Sequence, residues 1–406
     1  MLRCGLLGRR LGHSYSPAIH AMLGDYGYEL FEREPEALEE FLKAGPFDGI
    51  NVTIPYKKAV VPWCACLSET ARALGSVNTL VRRPDGSLYG DNTDYYGFER
   101  MLALSGADPA GKKALVLGSG GASVTVRAVL EAHGSRPIVI SRTGPDNYDN
   151  LARHADAALI VNTTPLGMYP DNGSMALDPA LFPRCEAVLD VVYNPARTAL
   201  MLRAEALGIP ALGGLHMLVA QARRSSELFT GRSLPDEAEE AAERRLSRDM
   251  RNVVLIGMPG CGKTTVARIL GEMTGRTVTD SDEQVEKTAG MTIPEIFARD
   301  GEDAFRALET AALRELGRAS GTVIATGGGC VTRPENRDLL RQNGTVIWLR
   351  RSLDALSVDG RPISQSRDLG GLLREREPLY RQFADHIVDN NCAPEATAAR
   401  ILEVIA

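Results

Sequence analysis

The sequence predicts an α/β protein with more than one domain, and three observations point there. Short apolar runs alternate with amphipathic stretches, as at residues 115–117 (LVL), 137–140 (PIVI), 159–161 (LIV) and 188–192 (VLDVV). That alternation marks parallel strands covered by helices. Glycine-rich loops follow a strand twice, at residues 118–123 (GSGGAS) and 257–264 (GMPGCGKT). The 406 residues exceed the roughly 100–200 of one domain.

Composition narrows the class. A net charge of −6 and a pI near 5.7 argue against nucleic acid or an anionic membrane, which call for a basic face. No apolar run approaches the ~20 residues of a membrane span. The opening residues MLRCG read as a strand entering a glycine turn, not as a signal peptide. Seven cysteines are scattered, with no CxxC pair, and the histidines show no ligand spacing. Reduced thiols in a cytoplasmic enzyme without structural zinc are expected.

The charged, alanine-rich stretch 234–251 (LPDEAEEAAERRLSRDMR) reads as an exposed helix, with Glu240 four residues before Arg244. It is either a last surface helix or an interdomain spacer. A new strand, 252–256 (NVVLI), begins directly after it, which sets a boundary there. The expected division is an α/β substrate domain over 1–100, rejoined by helices at about 214–232, then a nucleotide-type domain over 101–213, a charged linker over 233–251 and a last domain over 252–406.

The first glycine loop follows strand 115–117 and opens a helix expected over 124–133. Gly118, Gly120, Gly121 and Ala122 would let the backbone approach a pyrophosphate at the helix start. The next strand ends in Ser141, Arg142 and Thr143 instead of the Asp or Glu that binds an NAD ribose. A guanidinium flanked by hydroxyls suits a 2′-phosphate, which points to NADP. The second loop fits G-x-x-x-x-G-K-[ST] throughout, a P-loop for the phosphates of a nucleotide. Backbone N–H groups from Gly260, Cys261 and Gly262 would wrap the β-phosphate, Lys263 would reach the β- and γ-phosphates, Thr264 would ligate Mg²⁺, and Thr265 follows in the same turn.

Elsewhere in the N-terminal part, polar groups gather where a packed domain does not need them. These stretches are 13–17 (HSYSP), 51–57 (NVTIPYK), 75–79 (GSVNT) and 90–94 (GDNTD). Ser16-Pro17 would also serve as a helix cap, and Pro55 predicts an extended strand exit before Lys57. Together with GSGGAS, SRT, NTTPLGM, DVVYNP and GGLHMLVAQA, these stretches resemble the shikimate dehydrogenases in order and spacing over about residues 1–232. The resemblance implies that Ser14 and Ser16 hold a substrate carboxylate and that Thr53, Asn78 and Gln221 bind ring hydroxyls. It makes Lys57 and Asp94 the catalytic pair, sets Tyr193 near substrate and nicotinamide, and places Gly214 in the NADP site. The position three after Thr143, commonly basic in that family, is Asp146 here.

Residues 252–406 resemble the shikimate kinases, through Asp280-Ser281-Asp282, GEDAFRALE (301–309), ATGGG (325–329), Arg361-Pro362 and REPLY (376–380). The resemblance implies that Asp280 supports the Mg²⁺ shell and that Asp282 engages the acceptor hydroxyl. Arg306 and Arg376 would clamp the carboxylate, Gly328 and Gly329 would touch the ring, and Arg361 would be a lid arginine at the ATP site. The lid, residues 353–365, is shorter than the family's, with one arginine. The expected protein is bifunctional: NADPH reduces 3-dehydroshikimate to shikimate, and MgATP then phosphorylates it to shikimate 3-phosphate. Quinate as dehydrogenase substrate, or a regulatory ligand-binding protein derived from these domains, are the alternatives.

Overall fold

The computed structural model describes residues 1–12, 14–356 and 369–405. Two compact units make up the chain. The first holds Met1–Met168, Ser174–Tyr193 and Leu200–Leu246; the second holds Tyr169–Gly173, Asn194–Ala199 and Ser247–Ala406.

The first unit contains two sheets. The N-terminal one comprises β1 (Arg3–Gly8), β2 (Gly27–Glu32), β3 (Gly49–Val52), β4 (Cys64–Leu67), β5 (Thr79–Arg82) and β6 (Leu88–Asp91), in the order β2-β1-β3-β5-β6-β4. It is mixed. The β1–β2, β1–β3 and β4–β6 pairs are parallel, whereas β5 runs antiparallel to β3 and β6. Antiparallel pairing of β5 with β6 follows from the short turn at Pro84-Asp85-Gly86, residues that favour a tight reversal, closed by Arg83 N–H donating to Ser87 O.

The second sheet is wholly parallel, with β7 (Lys113–Leu117), β8 (Arg136–Ile140), β9 (Leu159–Asn162), β10 (Ala187–Asp190) and β11 (Ala211–Gly213) in the order β11-β10-β9-β7-β8. Strand β7 has neighbours reached by crossovers in opposite directions, so its C-terminal end opens a crevice where ligands bind such folds. The GSGGAS loop occupies that end. Its helix is Gly121–Ala132, starting three residues earlier than the sequence reading placed it.

The expected boundary near residue 100 falls inside the helix Thr93–Leu104, which packs against the helix Leu215–Thr230. The charged stretch forms the helix Asp236–Met250. Its Glu239, 3 % exposed, takes Arg223 Nη1 at 3.0 Å and Arg100 Nε at 3.0 Å, and its Glu243 meets His216 Nδ1 at 2.8 Å. These pairs favour a surface helix of the first unit over a free spacer.

In the second unit β12 (Asn252–Ile256), β13 (Val278–Asp280), β14 (Val323–Ala325), β15 (Gly344–Arg350) and β16 (His386–Asp389) form a parallel sheet ordered β13-β14-β12-β15-β16. Central β12 is buried throughout, as a strand covered on both faces must be. The phosphate loop leaves its C-terminal end. The helix read over 301–309 belongs to a longer one, Ile293–Leu316, broken at Gly301, where φ of 83° requires a glycine.

Candidate active sites

In the first unit Lys57 Nζ donates to Asp94 Oδ2 at 2.5 Å. Strand β3 ends at Val52 and residues 54–60 turn, so Pro55 does not carry the strand onward as the sequence suggested. The turn delivers Lys57 to the first turn of the helix Thr93–Leu104, where Asp94 lies. The two side chains are 34 % and 19 % exposed. A pair that water still reaches contributes only on the order of 1 kcal/mol to folding, so stability alone does not account for it.

Around the pair lies a polar layer. Asn78 Oδ1 accepts from Thr93 N–H at 2.7 Å and from Thr79 Oγ1 at 3.0 Å. Its Nδ2 has no partner among the described residues and is a donor available to a ligand. Gln221 meets Thr93 Oγ1 through Oε1 at 3.4 Å. Beneath them Ser225, fully buried, joins Asn51 (2.7 Å), Thr79 (3.0 Å) and Thr93 (3.0 Å). Sequence reading missed Ser225; its place in a helix facing polar side chains of β3, β5 and the helix Thr93–Leu104 emerges only in three dimensions. The helix Ser16–Leu23 begins with no side-chain cap, so the Ser16 hydroxyl does not cap it; Ser14 Oγ accepts from Ser16 N–H at 3.2 Å. Thr53 is half-buried beside Gly8. Tyr193, past β10, meets Tyr15 edge-on at 6.0 Å.

The cofactor crevice fits a dinucleotide. An added Cβ at Gly120 or Gly121 would meet no atom within 4 Å, and the helix start at Gly121 has no side-chain cap. Open space therefore faces unsatisfied N–H groups, as a pyrophosphate needs. Ala122 follows in the same helical turn, and Gly214 presses against Val191, with 2.1 Å between its would-be Cβ and the Val191 oxygen. Arg142 is exposed between Ser141 and Thr143 and forms no ion pair among the described residues. Asp146, the acidic residue that would oppose a phosphate there, is bound instead to His154 Nε2 at 2.9 Å. His154→Leu is expected to raise KM for NADPH several-fold while leaving KM for NADH in place, and paired steady-state assays check this.

In the second unit a cleft of about 300 Å³ runs from the phosphate loop to Arg376. Gly260 and Gly262 have φ of 82° and 93°, turning the loop so that the helix Lys263–Thr274 begins at the phosphate position. Lys263 Nζ donates to Gly257 O at 2.9 Å and Met258 O at 3.1 Å. Cys261 is fully buried, and its carbonyl is held by Asn390 Nδ2 at 2.6 Å. Thr264 Oγ1 donates to Asp280 Oδ2 at 2.9 Å, a hydroxyl and carboxylate pair of the hard oxygen type that Mg²⁺ prefers. Thr265 is exposed in the next position.

Asp280 also caps the next helix, accepting from Asp282 N–H at 2.9 Å. This places Asp282 in the cleft. Burial, then the neighbouring Asp280 and Glu309 charges, push its carboxyl up to about 6. Its Oδ1 is buried with no partner. Arg306 is held by Glu309 at 2.7 Å and Glu302 at 3.2 Å. Glu309 is completely buried, its Oε1 is unpartnered, and burial raises its pKa. A buried ion pair is weak evidence for stability, so the Arg306–Glu309 pair suits an anion-binding site better than a packing role. Arg376, 2 % exposed, donates to Gly328 O at 3.1 Å, a carbonyl shared with Tyr380 OH at 2.6 Å. Arg361 lies outside the described residues, as does most of the expected lid.

The glycines of ATGGG are explained by close approach. A Cβ on Gly327 would stand 2.5 Å from Glu309 Oε1 and 2.7 Å from Asp282 Oδ1; on Gly329 it would stand 2.2 Å from Arg306 Nη2. Gly329→Ala is expected to raise KM for the acid that Arg306 would bind about tenfold, the loss of one charge-assisted hydrogen bond, with KM for the nucleotide unchanged. Initial rates against each substrate check it. Glu309 and Gly327 stand in the sequence motifs but were given no site role, although Glu309 lies three residues after Arg306, the spacing of helical neighbours.

The fold and the two sites define a nicotinamide-dependent oxidoreductase joined to a P-loop phosphotransferase. Family models described as the shikimate dehydrogenase substrate binding domain and as shikimate kinase match residues 6–80 and 259–406. The shikimate dehydrogenase (NADP(+)) of Oleidesulfovibrio alaskensis is 42% identical over 255 residues, 57% of this chain and 90% of that protein. A chorismate mutase/shikimate 5-dehydrogenase fusion protein from Clostridium acetobutylicum superposes with a TM-score of 0.57 at 33% identity, covering 61% of this chain and 97% of that one. The shikimate 5-dehydrogenase of Thermus thermophilus, solved with NADP(H) and shikimate, gives 0.55 at 35% identity over 60% and 99%. The chain belongs to the shikimate dehydrogenase family and carries a shikimate kinase domain after it. It is a bifunctional shikimate-pathway enzyme that uses NADP(H), ATP and Mg²⁺.

Proposed function

We propose that the first site reduces 3-dehydroshikimate with Lys57 as proton donor, and that the second phosphorylates shikimate with Asp282 as proton acceptor. One observation carries the reading: each half brings one proton-transfer group together with donors for a hydroxylated carboxylic acid. NADPH, when bound at Gly118–Ala122 and Arg142, supplies the hydride. As the carbonyl oxygen gains charge, Lys57 stabilises it and gives it a proton. Asp94 keeps the ammonium oriented. Asn78, Thr53 and Gln221 bind ring hydroxyls, Ser14 and Ser16 the carboxylate, and Tyr193 borders the ring. A missing or extra hydroxyl would leave buried polar groups unpaired, which separates shikimate from quinate.

In the kinase half, Arg306 and Arg376 receive the shikimate carboxylate as bidentate donors, and Gly328 and Gly329 border the ring. Mg²⁺, when held by Thr264 with Asp280 in its outer shell, neutralises phosphate charge. Asp282 takes the proton of the attacking hydroxyl, while Lys263 and the N–H groups of the loop stabilise charge on the transferring group. We place the enzyme in the cytoplasm, because all seven cysteines are free thiols, which fits a reducing compartment. Among the described residues no helix is long and apolar enough to cross a membrane. The test supplies 3-dehydroshikimate, NADPH and MgATP to the purified chain. Shikimate 3-phosphate should accumulate with matched loss of NADPH and ATP; failure to form it, where separate control enzymes succeed, sinks the reading.

A further inference from the structure

Two arginines adjoin at the end of β15 and meet different fates. Arg350 is satisfied, with Nε and Nη2 on the Asp389 carboxylate at 2.8 and 3.0 Å. Arg351 forms no hydrogen bond or ion pair among the described residues, and its Nε is buried without a partner. A guanidinium in that state is costly to keep, because its hydration is partly lost and nothing replaces it.

Its location suggests what should replace it. Strand β15 pairs with β12 in parallel, Trp348 opposite Ile256, so the residues after both strands emerge side by side. The phosphate loop follows β12, and Arg351 follows β15. Arg351 Nη1 lies 3.4 Å from where a Cβ on Gly262 would stand, and Asn390 Nδ2 lies 2.9 Å from the same point. Asp389, the cross-strand neighbour of Arg350, is occupied by Arg350. The corner therefore presents an unpaired cation beside Gly262, next to Lys263, on a loop built for a polyanion.

We propose that Arg351 is a nucleotide-binding residue, pairing with the phosphate chain on the Gly262 side of the loop. A guanidinium is always charged and presents paired donors to phosphate oxygens. The inference rests on the reading of this loop as the ATP site, and it supplies that site with an arginine anchored by a strand end.

Titration calorimetry of the full chain with ADP tests it, at low and high salt, for the parent, Arg351→Met and Arg351→Lys. Arg351→Met should weaken ADP binding about tenfold or more at low salt, the loss of a hydrogen bond to a charged group. Its affinity should also vary less with salt than the parent's, because an ionic contact is gone. Lysine should restore part of both. Equal ADP affinity in the parent and Arg351→Met overturns the inference while leaving the loop's assignment standing. Weakened binding with unchanged salt dependence also overturns it, since the contact would then be to the base. A parent chain that fails to bind ADP overturns the loop's assignment itself. Shikimate affinity is expected unchanged and checks folding; if the methionine variant loses it, the lysine variant decides by the same comparison.

Discussion

Lys57→Met should lower kcat for 3-dehydroshikimate reduction at least about a thousandfold, within the usual range for a positioned acid–base group. Phosphorylation of added shikimate should continue at the parent rate. The loss is large because Lys57 Nζ is the cation paired with Asp94 at 2.5 Å, and methionine keeps the length of the side chain without its proton or charge. Folding should survive, since a pair that water still reaches contributes only on the order of 1 kcal/mol. Asp94→Asn should be milder, because the ammonium stays while its orienting partner weakens. NADPH oxidation and ADP release, measured separately on one preparation, check both variants. Reduction within tenfold of the parent would remove Lys57 from the chemistry. Loss of both activities together would mean that the two halves do not fold independently.

What the sequence disclosed and what it withheld follow different physical rules. The strands β7 to β10 and β12 were legible because buried parallel strands read as continuous apolar runs. The two glycine loops were legible because their chemistry is local, a backbone shape written in adjacent residues. The mixed pairing of the first sheet was not legible, since direction depends on which distant strand accepts β5. Ser225 was overlooked for a similar reason: its partners Asn51, Thr79 and Thr93 lie far away in the chain. Glu309 stood in a motif beside Arg306, but its place against Gly327, across from Asp282, emerges only in the fold. Asp146 shows the limit most clearly. In sequence it is an acid near Arg142, opposing a 2′-phosphate; in the fold its carboxylate is bound to His154. Arg351 was passed over because the sequence cannot say which of two neighbouring arginines Asp389 will take.

Asp282→Asn should lower kcat for phosphorylation by about a hundredfold to ten-thousandfold, and should make the protein more stable at neutral pH. Both effects come from one feature, a buried carboxylate whose pKa is pushed up to about 6. Its ionised form must accept the hydroxyl proton, so kcat/KM for shikimate in the parent should fall as pH drops below about 6, following the free enzyme. Stability runs the other way. Unfolded, the group titrates near 3.8; between about 3.8 and 6 the folded state holds a proton that the unfolded state has released. Stability therefore declines as pH rises through that window, and the full penalty, on the order of 1–3 kcal/mol, is present above it. Asparagine has nothing to ionise and escapes that penalty. Thermal unfolding at pH 5 and pH 7.5 reads the difference: the variant should gain over the parent mainly at the higher pH. An inactive variant with no pH-dependent gain would assign Asp282 to binding geometry and not to proton transfer from a strained, buried carboxylate. An active one would take the acceptor role away from it.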